Sequence, residues 1–226
     1  MSIRGIIFDF GEVLNAPIDR EQEVARRAEA AARLGVPPES LWTYLFDREA
    51  SKQWMTGKLT WQQFWTKVLA PHGITDPEEI EAYARYVLPV TRRLNPEMVR
   101  LLAELKHREI LGVVSNASWT EAEMRRMFYN DFELPDDTFD VIVTSNSAGA
   151  VKPQLAIFEQ ALSRMGLKAE ETVFTDDMPQ FTAAASSLGI HSHTFTTPAE
   201  FRAFLASLDV DVNEQVAGEP AGSAES

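Results

Sequence analysis

The chain has no cysteine, which excludes a disulfide framework and any thiolate metal site. Such a chain suits a reducing, cytoplasmic setting. Histidine is scarce, at 4 in 226 residues. His191 and His193 flank the last expected strand without the spacing a zinc site needs, and read as structural. Long apolar runs are missing too. The start, MSIRGIIFDFGEVL, has only a few consecutive apolar residues with acids close behind, so neither a signal peptide nor a membrane span is expected. Positive charge is in deficit: 21 Lys and Arg face 34 Asp and Glu, for a formal net charge of −13. Nucleic-acid binding draws on a basic face, so no nucleic-acid partner is expected. The excess acid favours solubility.

What remains is ordinary globular composition, with 45% hydrophobic and 24% charged residues, which argues against wholesale disorder and fibrous folds. GIIF at residues 5–8 reads as a buried parallel strand ending at Asp9. Helical patterns follow over residues 21–34, 39–50, 60–69 and 77–86, with no convincing strand between 19 and 88. Thr60 and Asn95 suit N-caps. A helix over 95–107 then leads into strands at 110–114, 141–144, 172–174 and 193–195, which alternate with helices at 120–128, 155–165, 181–188 and 199–208. This alternation predicts an α/β fold with a doubly wound parallel sheet, Rossmann-like, interrupted after its first strand by an all-helical insert. The expected division is a core of residues 1–15 and 90–211, a helical unit over 16–89, and a disordered acidic tail over 212–226.

Polar residues follow three of the apolar strands: Asp9, Ser115-Asn116 and Asp176-Asp177. Ligands of a parallel sheet bind at the carboxyl ends of its strands, so these residues can converge. Asp9, with Gly11 allowing a sharp turn after it, suits a nucleophile, a metal ligand or a turn cap. Adjacent Asp176 and Asp177 repel each other unless one is protonated or they share a cation, for which Mg2+ is suited; otherwise one caps a helix near Met178-Pro179 and the other is solvated. Ser115 and Asn116 fit a phosphate cradle or a plain N-cap. Lys152, after the flexible SAGAV stretch, can neutralise a nucleophile and a phosphate together, or be merely solvated. Trp42, Trp54, Met55, Trp61 and Trp65, with Phe46 and Phe64, crowd the insert. Trp61, Phe64 and Trp65 recur at helical spacing and so predict a buried face, of which part can turn toward a site. Arg48 and Lys52 suit an anion contact or a solvated helix face.

In this order, FDFGEVLN (Phe8–Asn15), VVSNAS (Val113–Ser118), VKP (Val151–Pro153) and VFTDDMPQFTAAASSLGI (Val173–Ile190) resemble the four motifs of the haloacid dehalogenase-like hydrolase superfamily, over roughly residues 1–208. WMTGKLTWQQFW and LNPEMVRLLAELK are similar to the subgroup containing the amino-terminal phosphatase domain of soluble epoxide hydrolases and bacterial glucose-1-phosphatase-like enzymes. The resemblance implies a helical cap and a Mg2+-dependent hydrolase of small phosphomonoesters, such as a sugar phosphate. It implies that Asp9 attacks phosphorus to form an aspartyl-phosphate. Mg2+ is then held by Asp9, the Gly11 carbonyl and Asp177, with Asp176 in or just behind the coordination sphere. Ser115 bonds the phosphoryl oxygens, Asn116 lines the pocket, and Lys152 pairs with Asp9 and the phosphate. Two positions depart from the pattern: Gly11 stands where a second Asp is usual, and Gln180 where an Asn is usual. Gly11 keeps alternatives open, namely a phosphometabolite-binding protein without turnover, or a metal-free 2-haloacid dehalogenase. A small-molecule substrate and a monomer or homodimer are expected.

Overall fold

A computed structural model describes residues 2–15, 20–46, 49–88 and 93–212, with the side chains of residues 20–23, 42 and 46 excepted. Five strands form one parallel sheet: β1 (Gly5–Phe8), β2 (Ile110–Ser115), β3 (Val141–Thr144), β4 (Thr172–Asp176) and β5 (His191–Thr194), in the order β3-β2-β1-β4-β5. The first strand in sequence is therefore central, with Phe8 opposite Val113 on one side and Thr175 on the other.

The sheet is buried on both faces, and its side chains alternate between two cores, as a period of two requires. Ile6, Phe8, Val113 and Val173 point into one cluster. Ile7, Val114, Val143 and Phe174 point into the other. Near-continuous apolar strands are the signature of this two-sided burial.

The helices, in chain order, are α1 (Arg20–Leu34), α2 (Leu41–Phe46), α3 (Glu49–Met55), α4 (Trp61–Leu69), α5 (Pro77–Val87), α6 (Pro96–Leu105), α7 (Glu121–Asn130), α8 (Ser145–Ala148), α9 (Leu155–Met165), α10 (Pro179–Ser187) and α11 (Pro198–Ser207). α6, α7 and α11 cover the first face of the sheet, and α9 and α10 the second. α1 to α5 share a core of their own, centred on Leu45, Phe64, Trp65 and Tyr83. The Tyr83 hydroxyl donates to the Ala30 carbonyl at 2.9 Å, which ties α5 to α1. Each large side chain buried there stabilises the helical layer by about 1.5–3 kcal/mol before entropy. No helix among the described residues is long and apolar enough to cross a membrane.

The caps expected at Thr60 and Asn95 form: Thr60 makes a reciprocal capping box with Gln63, and the Asn95 side chain accepts from the Glu97 N–H at 3.0 Å. Three expectations need correction. The single helix over 39–50 is a short 3-10 turn (Pro38–Ser40) followed by α2 and α3, and α3 runs on to Met55, where Trp54 stacks on Phe64 at 4.5 Å. β5 starts at His191 rather than His193, because HSHT is an edge strand held by backbone pairing with β4 rather than by an apolar pattern. Val212, assigned to the tail, is anchored by Arg202, which donates to its carbonyl at 3.0 Å. Residues 213–226, the rest of the expected tail, lie outside the described residues.

Candidate active site

The topology sets the polar strand ends side by side. Asp9 follows β1, and its N–H donates to the Thr175 carbonyl at 2.9 Å, so it lies next to Asp176 at the end of β4. Ser115 ends β2 on the other flank. Lys152 arrives from the loop between α8 and α9 and is 3% exposed. Its ammonium donates to Asp9 Oδ1 at 2.7 Å and to Asp176 Oδ2 at 2.5 Å. The rings of Phe181 and Phe174 lie 5.1 and 5.6 Å from Nζ, within cation–π range.

Asn116 fastens this lysine. Its Oδ1 accepts from the Lys152 N–H at 2.7 Å, and its Nδ2 donates to the Lys152 carbonyl at 3.1 Å. The amide that sequence assigned to the substrate is therefore spent largely on positioning Lys152, although Asn116 also borders the cavity. Asp176 is likewise committed on both oxygens, because Oδ1 accepts from the Met178 N–H at 2.9 Å. That second bond closes a turn before α10 rather than capping the helix, whose first-turn N–H groups receive no side-chain cap.

The carboxylate oxygens of Asp9, Asp176 and Asp177 can all lie within 4.8 Å of one another. Three acids against one lysine leave two uncompensated negative charges at a mostly buried site. Burial pushes the Asp9 carboxyl up to about 6; Lys152 opposes the rise and Asp176 adds to it. Burial, reinforced by Asp176, pushes half-buried Asp177 to about 6 as well. Burial alone would lower the Lys152 ammonium, but Asp9 and Asp176 outweigh it, and its pKa is raised. The charged lysine is thus locked in.

The turn after Asp9 differs from expectation. Gly11 has φ −68 and ψ 135, ordinary backbone for any residue, while Glu12 takes the left-handed conformation at φ 54. A Cβ built on Gly11 would meet only Asp9 Oδ2, at 3.5 Å, which is ordinary contact distance.

Above the strand ends lies a cavity of about 560 Å³, within the range of small-ligand sites. Asp9, Gly11, Ser115, Asn116, Lys152 and Asp177 all line it, with Asp176 fully buried behind them. Trp54, Met55 and Trp61 reach it from α3 and α4. Trp65 and Phe64 belong instead to the helical core, and Lys52 is exposed away from the cavity. Trp42, Phe46 and Arg48 lie outside the described side chains. Gln180 is exposed and does not line the cavity.

Sequence reading missed Trp119, Met178 and Phe181, which complete the walls. Each directly follows or belongs to a motif already singled out, and that adjacency was the available signal. It also missed Ser145, whose buried hydroxyl lies 2.9 Å from the Met55 carbonyl and 3.0 Å from that of Ala117. This one group joins the helical layer to the loop after β2. Among the described residues, the Asp9–Asp176–Asp177 group is the one acid or histidine cluster arranged to hold a metal.

Comparison with known proteins gives a family model described as haloacid dehalogenase-like hydrolase, matching residues 3–189. A glyceraldehyde 3-phosphate phosphatase from Methanothermobacter thermautotrophicus is 31% identical over 131 residues, 54% of each chain. The chain spans about half the length of the curated relatives it matches, or less. Among solved structures, a predicted HAD-like family hydrolase from Porphyromonas gingivalis superposes with a TM-score of 0.67 at 26% identity, covering 90% of this chain and 98% of that one. A HAD family enzyme from Bacteroides thetaiotaomicron, in complex with magnesium and inorganic phosphate, gives 0.65 at 20% identity, covering 86% and 95%.

Proposed function

The chain belongs to the haloacid dehalogenase-like hydrolases, and on that footing we propose that it hydrolyses small phosphomonoesters, with Mg2+, through an aspartyl-phosphate on Asp9. The observation that carries this reading is the Lys152 ammonium held between Asp9 and Asp176 at the strand-end floor of the cavity. The phosphatase relatives and the magnesium–phosphate complex of a structural neighbour support it.

The donor set fits a hard divalent cation: it is all oxygen, and its two excess negative charges match the ion. Asp9, Asp177 and the Gly11 carbonyl would hold it, because both Asp176 oxygens are already engaged. Bound there, the ion would offset charge on the phosphate and on the acids. Lys152 fixes Asp9 through Oδ1 and lowers the repulsion between an anionic nucleophile and an anionic ester. An Asp9 oxygen attacks phosphorus, the bond to the leaving oxygen breaks, and Ser115 hydrogen-bonds the transferring oxygens. Water then attacks the phosphoryl group, which releases phosphate and restores the carboxylate. Residues 16–89 act as a cap over a core built from 1–15 and 90–211.

Gly11 offers no proton, and this favours a second reading in which the site binds phosphate esters but stalls at the phospho-enzyme. Release of p-nitrophenolate and of phosphate from p-nitrophenyl phosphate, each followed with Mg2+ and with chelator, separates the two, alongside the intact mass of the protein. Mg2+-dependent multiple turnover that Asp9→Asn abolishes supports the hydrolase. A single burst of p-nitrophenolate without phosphate, with one phosphoryl group retained on the protein, supports the stalled site. Turnover unchanged in Asp9→Asn overturns both.

A further inference from the structure

We infer that this site selects phosphate monoesters of flat aromatic alcohols over those of polyols, an inference that rests on the phosphatase reading above. The division of chemistry in the cavity carries it. Among the described lining residues, every charged group sits at the strand ends, where the phosphate goes. The space left for the rest of the ester is walled by Trp54, Met55, Trp61, Trp119, Met178 and Phe181. Among the described lining residues, the polar side-chain groups outside the strand-end group are the amide of Asn15, the hydroxyl of Ser118 and the single N–H of each of Trp54, Trp61 and Trp119, all neutral. Lys152 is the one cation among the described lining residues, and both acids beside it hold it.

A sugar or glycerol moiety brings several hydroxyls that need partners. Each one buried unpaired against indole and thioether costs roughly tenfold in affinity. An aromatic ring needs none and gains offset or edge-on contact with the indoles. Trp119 is set edge-on to Phe10 at 6.5 Å between centroids, and Trp61 lies 6.2 Å from Trp65, so both rings stand on packed supports. Met178 is 40% exposed and gives the wall an adaptable edge.

Gly11 points the same way by an independent route. When the Asp9 oxygen bonds to phosphorus, the electron pair of the breaking bond goes to the leaving oxygen. A phenol oxygen, with a pKa of about 10, leaves as the anion and takes its proton from water afterwards. An alkyl alcohol, like water, is a far weaker acid than a phenol and needs a proton during the step. No side chain at position 11 supplies one.

The test separates recognition from leaving-group chemistry by using two non-hydrolysable probes, phenylphosphonate and methylphosphonate. Both are run as competitive inhibitors of p-nitrophenyl phosphate hydrolysis with Mg2+, and as direct titrants by tryptophan fluorescence. Glycerol 1-phosphate is the polyol comparison. Phenylphosphonate is expected to bind about 10–100-fold tighter than methylphosphonate. Trp61→Leu and Trp119→Leu are each expected to cut that ratio about threefold or more while leaving methylphosphonate affinity within twofold. A ratio near one, or glycerol 1-phosphate binding as tightly as phenylphosphonate, overturns the inference and leaves the phosphatase reading intact. Equal loss for both phosphonates in the variants overturns it too. If wild type does not hydrolyse p-nitrophenyl phosphate, the phosphatase reading fails, and the fluorescence ratio still decides whether the walls select an aromatic group.

Discussion

Gly11→Asp is the perturbation that bears most directly on the chemistry. The backbone at 11 already has a conformation open to any residue, and a Cβ there meets only Asp9 Oδ2 at 3.5 Å. The substitution therefore adds a carboxyl at the cavity edge on a Cβ that the site accommodates. It also adds a fourth acid to a site whose three acids face one lysine. With the bound ion offsetting two of those charges, the new carboxyl acts through its place beside Asp9, where it can pass a proton to the leaving oxygen. General acid catalysis is worth about 10²–10⁴-fold. The gain belongs to esters whose leaving oxygen needs a proton. kcat/KM reports events up to the first irreversible step, the transfer to Asp9. It should rise by about 10²-fold or more for an alkyl ester such as benzyl phosphate, and by less than about tenfold for p-nitrophenyl phosphate. Gly11→Asn, with the same shape and no titrating proton, is the control. Equal gains for both esters, or no gain for either in a variant whose melting temperature matches wild type, would refute the reasoning.

Four further outcomes follow from the same geometry. Lys152→Met leaves Asp9 and Asp176 buried without their shared partner, at a cost of about 3–5 kcal/mol, or on the order of 10 °C in Tm, read by thermal melting; an unchanged Tm contradicts it. In chelator, Asp9 and Asp177 titrate at about 6 in the folded protein, above their ordinary 3.8, so the folded state binds extra protons between those values. Stability from these two groups is present at pH 4, is lost as pH rises through 6, and returns on adding Mg2+; Asp9→Asn should flatten that slope in melts between pH 4 and 7. Asn116→Ala frees both main-chain groups of Lys152, and kcat/KM should fall about tenfold with little change in the affinity for phenylphosphonate. Ser145→Ala removes the link between the Met55 carbonyl and the loop after β2, and KM should rise several-fold, in line with about 1 kcal/mol for one hydrogen bond, while kcat holds.

The central strands were legible because strands buried on both faces are short apolar runs, and their polar ends announce the ligand side of a parallel sheet. β5 was misplaced by two residues because an edge strand is held by backbone pairing, which leaves little trace in side-chain pattern. The aromatic insert shows the same limit from another side. Trp61 and Trp65 lie four residues apart on α4, nearly on one face, yet Trp61 borders the cavity and Trp65 is fully buried in the helical core. Helical spacing is identical in the two roles. What separates them is the group opposite, and that is set by long-range packing.

Position 11 is the instructive failure. A glycine after a strand-end acid invites the explanation that the chain needs its conformational freedom there. The freedom is used one residue later, where Glu12 takes the left-handed conformation despite its side chain, at a cost of about 1 kcal/mol or more. Neither backbone nor space requires glycine at 11. Its effect on this site is therefore chemical: it leaves no proton donor at position 11 beside the Asp9 carboxylate that Lys152 holds. If Asp9 is the nucleophile, as proposed, a site so built favours a leaving group that departs without help, and the aromatic walls above Asp9 suit a leaving group of that kind.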